Sequence, residues 1–232
     1  MADFDLYYWP LPFRGQFVRA ILAYGGKTWN EHDSVDNAAL MARPPADQPV
    51  PFMGPPVLID TASGFALSQM AAIAIYLGEE LNLVPASAQA RALSAKVVND
   101  ANDVIDELTL NGGQQMWTQE KWNAFVPRLQ RWMQIFEALG TRHGMTADSG
   151  FILGTPDPGV ADIVTATLWA TMADRFPAIA TLLERTVPAV AGLTRRVQSL
   201  PPLATLRQRT FQAHGDAYCG GDIEASLRRV LD

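Results

Sequence analysis

Strand-forming segments occur only in the first third of this chain, and this asymmetry limits the folds available to it. Residues 5–9 form an aromatic, β-prone run, and residues 27–32 can form a second strand. Between them a helical pattern begins near Arg14 and ends at the Gly25-Gly26 pair, a common signal for a helix C-terminus. The chain therefore opens with a strand, a helix and a strand.

A hairpin and another helix complete this N-terminal unit. Residues 55–67 contain two short apolar runs around a Thr-Ala-Ser-Gly turn, and residues 69–81 predict a helix. Residues 33–54 have weak periodicity and predict a loop with at most a short helix, a place for ligand contacts. The βαβ-ββα order is that of a thioredoxin-like α/β domain.

Long helical patterns replace strands after the Val84-Pro85 pair. They cover residues 88–110 and 120–141, and residues 161–173 are nearly uncharged on every side, as expected of a buried central helix. Two shorter helices and a polar tail are expected to follow. The predicted fold class is α/β plus all-α, in three parts: a thioredoxin-like domain at 1–83, a linker at 84–87 and an all-helical bundle domain at 88–232.

Composition argues against several functions. The 18 Lys and Arg against 24 Asp and Glu give a net charge of −6 without a basic stripe, so no nucleic acid is expected. A single cysteine, Cys219, and three scattered histidines have no metal-ligand spacing, so no metal is expected. The acidic start is unlike a signal peptide and no apolar run reaches about 18 residues, which predicts a cytoplasmic protein without a membrane partner. Motifs of hydrolase triads and P-loops are missing from the sequence.

The residues around the first strand and helix resemble a known family. The run Leu6-Tyr-Tyr-Trp-Pro-Leu-Pro-Phe-Arg-Gly is similar to the Tyr-type cytosolic glutathione transferases, in which a catalytic tyrosine ends the first strand and an aromatic residue follows. Tyr8 and Trp9 occupy those two places. Arg14 falls where the pi class has an arginine that lines the glutathione site, and Arg19 matches the first-helix arginine. The resemblance covers residues 4–207 and is to a divergent, bacterial-type member nearest the pi and sigma classes.

Two further motifs of the N-terminal unit resemble the glutathione site of the family. The run Pro-Phe-Met-Gly-Pro-Pro-Val-Leu implies that Pro56 is a cis-proline and that Val57 offers its backbone N–H and C=O to the cysteinyl part of glutathione. The run Leu-Ser-Gln-Met resembles Leu-x-Gln-Ser, which implies that Gln69 lines the site. Met70 replaces the serine that receives the γ-glutamyl carboxylate, while Ser68 comes two positions too early. A thioether cannot donate a hydrogen bond, so glutathione is expected to bind more weakly, through the backbone N–H groups at the start of the helix.

The helical half contributes two more similarities. Val-Asn-Asp-Ala resembles the pi-class Val-Asn-Asp-Gly, whose aspartate reaches the glutathione of the neighbouring subunit, which implies that role for Asp100 and a homodimer. Residues 151–163 resemble the helix capping box of the family, with Asp162 matched and Gly159 in place of Ser or Thr. Glycine is an acceptable N-cap, so only a small loss of helix stability is expected.

The chemistry implied by the resemblance is thiol activation. A free thiol has a pKa of about 8.5, so about 3% is thiolate at neutral pH, and the thiolate is the nucleophile. A hydrogen bond from Tyr8 to the sulfur would favour the anion, and the N-terminus of the first helix would add a smaller effect. Without the motif, Tyr8 would be interpreted as a half-buried strand aromatic. Tyr7 points to the opposite strand face and is expected in the core.

The second substrate is expected to be a hydrophobic electrophile between the two domains. Four apolar residues are candidates for its pocket: Leu11, Phe13, Met116 and Trp117. Ordinary core positions are an open alternative for these four. Arg14 as a solvated helix-start cation and Asp100 as a surface carboxylate are equally open.

Two other functions fit the same residues. The first is a binding or structural protein with this fold and no turnover, which Met70 favours. The second is a glutathione-dependent isomerase, peroxidase or ether-cleaving enzyme that uses the same thiolate.

Overall fold

The computed structural model describes residues 1–231, so the last residue of the predicted helical domain lies outside it. The strands are β1 Phe4–Tyr7, β2 Trp29–His32, β3 Val57–Asp60 and β4 Ala66–Ser68. The helices are α1 Phe13–Tyr24, α2 Ser34–Met41, α3 Met70–Glu80, α4 Ala88–Leu108, α5 Leu110–Gly113, α6 Gln119–Arg142, α7 Val160–Ala173, α8 Pro177–Thr186, α9 Pro188–Gln198, α10 Pro201–His214 and α11 Gly221–Leu231, with a short 3-10 turn at Pro45–Asp47.

The strands form one mixed sheet with the order β2-β1-β3-β4. β1 runs parallel to β2 and antiparallel to β3, and β4 pairs with β3 at the other edge. The parallel β1–β2 pair is joined by α1, and the antiparallel β3–β4 pair is a hairpin. This is the βαβ-ββα order, and no strand follows Ser68 within residues 1–231. The predicted fold class is therefore confirmed.

Several element boundaries have local physical causes. Asp33 caps α2 by accepting hydrogen bonds from the backbone N–H groups of Val35 and Asp36, at 2.8 and 3.1 Å. Ser87 caps α4 and Thr118 caps α6 in the same way. Prolines open α8, α9 and α10, where the missing N–H costs no intrahelical hydrogen bond.

The central helix α7 organises the helical half. It packs on α4, α8 and α9, and it also packs on α1 of the N-terminal unit. Thirteen of its 14 residues are buried, from Val160 to Met172, as its uncharged sequence predicts. The N-terminal unit and the helical bundle therefore share one apolar core through α1 and α7.

The capping box of α7 is present and shows why glycine is the N-cap. Asp162 accepts hydrogen bonds from the backbone N–H groups of Ile152 and Gly159, at 2.7 and 2.9 Å. A Cβ on Gly159 would lie 2.9 Å from the carbonyl oxygen of Leu83. The substitution of Ser or Thr by glycine therefore makes room for the backbone that enters the helical half.

The end of the chain differs from the polar tail that the sequence predicts. Four helices follow α7, and the last one, α11, begins after the buried Tyr218. The Tyr218 ring contacts Phe13 and Phe176 edge-on, with centroids 5.4 Å away in both cases. The mean composition of this segment is polar, but one aromatic side chain and the amphipathic α11 suffice to dock it.

Candidate active site

Tyr8 lies directly after β1 and is held on three sides. Its hydroxyl oxygen accepts a hydrogen bond from the backbone N–H of Arg14 at 3.0 Å, and its carbonyl accepts one from Asn37 Nδ2 at 2.6 Å. Its ring lies so close to Gly15 that a Cβ there would be 2.7 Å from Tyr8 Cγ. The side chain is 3% exposed. The prediction that Tyr7 is the core residue of this pair is wrong, because β1 alternates so that Phe4, Leu6 and Tyr8 face inward.

The Tyr8 phenol is neutral at physiological pH. Burial raises the pKa of Tyr8 to about 12, against the opposite effect of the nearby Arg14 and Arg19 charges. Its oxygen already accepts the Arg14 N–H, and no acceptor for its own O–H is found among residues 1–231. A neutral phenol with an uncommitted proton can donate it to an anionic ligand atom beside the start of α1.

The two arginines of α1 are anchored to protein carboxylates. The Arg14 guanidinium pairs with Asp106 on α4 and lies 3.3 Å from Asn102 Oδ1. Arg19 is buried and makes a bidentate pair with Glu31, at 2.6 and 3.0 Å. Arg14 therefore supports Tyr8 through its backbone, while its side chain connects α1 to α4.

The segment around Pro56 enters the sheet beside Tyr7. The Pro55-Pro56 peptide is cis, as the resemblance implies. Val57 is in register with Tyr7 on one side and Ser68 on the other. In an antiparallel sheet the N–H and C=O of such a residue point together at one neighbour, so the predicted contact of Val57 with glutathione would compete with the sheet.

The start of α3 provides backbone donors without a serine. Gln69 is exposed and adopts a left-handed backbone conformation, with φ of 74°, just before the first helical residue, Met70. Met70 is 2% exposed, and its thioether belongs to the core. The first N–H groups of a helix have no intrahelical partner, so those of α3 remain available to an anion next to Gln69.

Asp100 belongs to an acidic stretch of α4. It forms an ion pair with Lys96 one turn earlier. Burial raises the pKa of the nearby Asp103, and the charges of Asp100, Asp106 and Glu107 act in the same direction. This face of α4 would favour a cationic group such as an amine.

The four residues predicted for the electrophile pocket do not share one environment. Trp117 is a core residue: its Nε1 donates to the Leu108 carbonyl at 2.9 Å, and its ring contacts Trp122. Met116, next to it, is half-buried. Phe13 is covered by the Tyr218 ring. The Trp117 indole therefore already has a protein partner inside the helical half, and its role in a pocket stays a prediction.

The segment that covers Phe13 is fixed by one carboxylate. Glu224 Oε2 accepts hydrogen bonds from the backbone N–H groups of Tyr218, Cys219 and Gly220, at 2.9, 2.9 and 2.6 Å. Its other oxygen pairs with Arg228. Burial raises the pKa of the Cys219 thiol to about 12, so this cysteine is not a reactive thiolate. Sequence reasoning missed Tyr218 because nothing in a polar stretch signals where a single aromatic ring docks.

A large cleft runs along the side of α1 from Tyr8 towards Lys27. Its volume is about 930 Å³, and α10 forms the opposite wall. The aromatic and proline residues that line it are Tyr8, Trp9, Pro10, Trp29, Pro201 and Pro202. Sequence reasoning did not predict this cleft, since α10 was not recognised as a wall facing α1.

Residues 1–231 contain neither a membrane-spanning helix nor a metal-binding cluster. No helix in this range is long and apolar enough to cross a membrane. No group of three or more His, Cys, Asp or Glu side chains in the same range is arranged to hold a metal ion.

Solved glutathione S-transferase structures share this two-part architecture. NaGST-2 superposes with a TM-score of 0.72 at 20% identity, over 90% of this chain and 97% of that one. Monomeric Na-GST-3 from the hookworm Necator americanus gives 0.72 at 18% identity, over 89% and 97%. At this identity the likeness establishes the fold.

The amino-acid sequence independently matches glutathione S-transferases. Residues 93–230, more than half of the chain, match the family model for the glutathione S-transferase C-terminal domain. Probable glutathione S-transferase 6 of Caenorhabditis elegans is 29% identical over 161 residues, which are 66% of this chain and 73% of that relative. The chain belongs to the glutathione S-transferase family.

Proposed function

We propose that this protein is a glutathione transferase that joins the sulfur of glutathione to a hydrophobic electrophile, with the Tyr8 hydroxyl as donor to the thiolate. The supporting observation is the buried, neutral phenol of Tyr8, whose oxygen accepts the Arg14 N–H and whose proton is uncommitted. The activity in the name of the Caenorhabditis elegans relative agrees with this proposal.

The reaction proceeds by direct attack of the sulfur. The glutathione thiol loses its proton to the solvent, the thiolate attacks the electrophilic carbon, and the new C–S bond forms as the leaving group departs with its bonding electrons. A hydrogen bond from Tyr8 that lowers the thiol pKa by about two units raises the thiolate fraction at neutral pH from about 3% to about three-quarters. The tyrosine stays protonated throughout and acts as an electrostatic donor.

Glutathione lies between the end of β1 and the start of α3 in this proposal. Its γ-glutamyl carboxylate meets the free N–H groups at the start of α3 beside Gln69, where Met70 offers no hydroxyl. Its amino group is drawn to the acidic stretch of α4 in the second subunit of the proposed dimer. Without a serine contact the dissociation constant is expected to be high, up to the millimolar range.

The organisation around this site is also part of the proposal. Residues 1–83 bind glutathione, residues 84–87 link the two domains, and residues 88–232 form the helical domain. The protein acts in the cytoplasm as a homodimer, in which Asp100 reaches the glutathione of the second subunit. Sedimentation at micromolar concentration tests the last point: a dimer of the 25.3 kDa chain supports it, and a monomer removes Asp100 from the site.

A titration combined with turnover tests the proposed reaction. Glutathione is titrated calorimetrically into the wild type, Tyr8→Phe and Tyr7→Phe, and each protein is assayed with an activated aryl chloride. Saturable binding to all three proteins is expected, with turnover lost only in Tyr8→Phe. Full turnover in Tyr8→Phe would refute the assigned role of Tyr8.

One observation favours a second candidate, a glutathione-binding protein without turnover. Tyr218 packs on Phe13, so the expected electrophile position beside the first helix is occupied by the protein itself. Glutathione binding together with no product from aryl halides, enones or epoxides would select this candidate.

A further inference from the structure

Three residues that each carry a buried, unpartnered polar atom line one small cavity between α1, α7 and α10. The cavity has a volume of about 20 Å³ and is lined by Gln16, Thr167 and Arg175 among other residues. These side chains supply three of the four buried side-chain atoms that lack a hydrogen-bond partner among residues 1–231: Gln16 Oε1, Thr167 Oγ1 and Arg175 Nη2. The three residues are 7%, 2% and 6% exposed. Buried polar atoms without partners are uncommon in folded proteins, so three at one place call for a common cause.

The neighbouring hydrogen bonds determine which atom of the Gln16 amide lacks a partner. Gln16 Nε2 donates to Thr210 Oγ1 at 3.0 Å, and the Thr210 hydroxyl donates its own proton to the Leu206 carbonyl at 2.9 Å. The Thr210 oxygen therefore needs a donor from Gln16. A flipped amide would place two acceptors together, so the carbonyl oxygen Oε1 is the atom without a partner.

Thr167 behaves differently from Thr165, a buried threonine two positions earlier on the same helix. Thr165 donates to the carbonyl of Ala161 one turn earlier, at 2.7 Å, as threonines in helices commonly do. The Thr167 hydroxyl makes no such bond within the described residues. It remains free to donate to, or accept from, a ligand.

Arg175 contributes a donor and is held rigidly. Its Nε donates to the Ala217 carbonyl at 2.7 Å, and its guanidinium carbon lies 4.6 Å from the centre of the Phe211 ring. Only Nη2 is without a partner. Arg175 thus connects the cavity to the residue that precedes Tyr218.

We propose that this cavity is a binding site for one structural water molecule. The water accepts a hydrogen bond from Arg175 Nη2 and donates one to Gln16 Oε1. It forms a third hydrogen bond with Thr167 Oγ1, which can donate or accept. Three hydrogen bonds are typical of a buried water, and about 10–15 Å³ is the least volume one requires. An anion would face the Gln16 carbonyl oxygen, and a cation would face the guanidinium, whereas water satisfies both.

The bound water joins α1, α7 and the loop that follows α7. It connects α1, which carries the residues around Tyr8, to α7 and to the arginine that holds the Ala217 carbonyl. The water therefore supports the C-terminal segment whose next residue, Tyr218, covers Phe13.

A high-resolution crystal structure of the full chain tests the site directly. One density peak at about 2.7–3.2 Å from all three atoms is expected, and it should show no anomalous signal after a bromide soak. No density in the cavity would overturn the proposal. A bromide peak would overturn it in favour of an anion.

Paired threonine variants test the ligand set in solution. Thr167→Val removes one water ligand at nearly constant shape, and Thr165→Val on the same helix is the matched control. Water-proton relaxation dispersion should lose one long-lived internal water in Thr167→Val only, and the amides of Tyr218–Gly220 should exchange several-fold faster. An unchanged water count in Thr167→Val, or an equal loss in both variants, would contradict the assignment.

Discussion

Residue 15 shows how closely the backbone of α1 approaches the central tyrosine. A Cβ at this position would lie 2.7 Å from Tyr8 Cγ and 2.9 Å from the Arg19 guanidinium. The sequence identified Tyr8 through its motif, but it did not indicate that a glycine holds the ring in place. Two residues therefore set the position of the hydroxyl: Tyr8, which carries it, and Gly15, which leaves space for the ring.

Gly15→Ala is predicted to displace the Tyr8 ring and to reduce turnover at least tenfold, since small displacements of catalytic groups have large effects. Gly54→Ala is the control, because a Cβ at Gly54 meets no atom within 4 Å. Steady-state kinetics and thermal unfolding of both variants provide the measurement. Equal kinetics for Gly15→Ala and the wild type would show that turnover does not depend on the position of the Tyr8 ring.

Met70→Ser is predicted to tighten glutathione binding and to destabilise the fold. The serine adds a hydroxyl donor at the start of α3, and the loss of a buried methionine side chain costs about 2–5 kcal/mol. Calorimetric titration and urea unfolding measure the two effects, with Met70→Ala as the control that lacks the hydroxyl. Equal affinity in both variants would place the γ-glutamyl carboxylate elsewhere.

At the scale of elements, α7 is the helix on which both halves of the protein are assembled. Its N-terminus depends on a carboxylate that is almost fully buried, with Asp162 at 1% exposed. Burial raises the pKa of Asp162 to about 6, while its two backbone hydrogen bonds oppose this shift. The stability of the protein should therefore depend on the protonation state of Asp162 at the start of α7.

Asp162 is predicted to make stability fall as the pH rises from about 4 to about 6. The ordinary pKa of 3.8 applies to the unfolded chain, so the folded state retains the proton longer and is favoured while protonated. The effect on the free energy of unfolding is at most about 3 kcal/mol. Urea unfolding of the wild type and Asp162→Asn across this range measures it, with the exposed Asp148→Asn as the control. A difference between wild type and Asp162→Asn that does not vary with pH would contradict the prediction.

At the scale of the whole molecule, the spacing of apolar residues and the positions of Gly and Pro predicted the fold class, because strands and helices leave strong local patterns. The α4 and α7 helices and the β3–β4 hairpin agree closely with the sequence expectations. Tertiary features left no such pattern: the docking of Tyr218, the contact of Trp117 with Ser226 and the cleft beside α10 depend on contacts between residues far apart in the chain. The motif therefore singled out Tyr8 from local sequence, whereas the surroundings of its ring depend on the tertiary packing, and the assigned roles stay predictions.

The pKa of glutathione bound to the protein tests the proposed role of Tyr8 most directly. Thiolate absorbance in the ultraviolet, recorded against pH for saturated wild type, Tyr8→Phe and Tyr7→Phe, gives this value for each complex. The wild type and Tyr7→Phe should show a thiol pKa about two units below the free value of about 8.5, and Tyr8→Phe should return close to it. The same pKa in Tyr8→Phe and the wild type would contradict thiol activation by Tyr8.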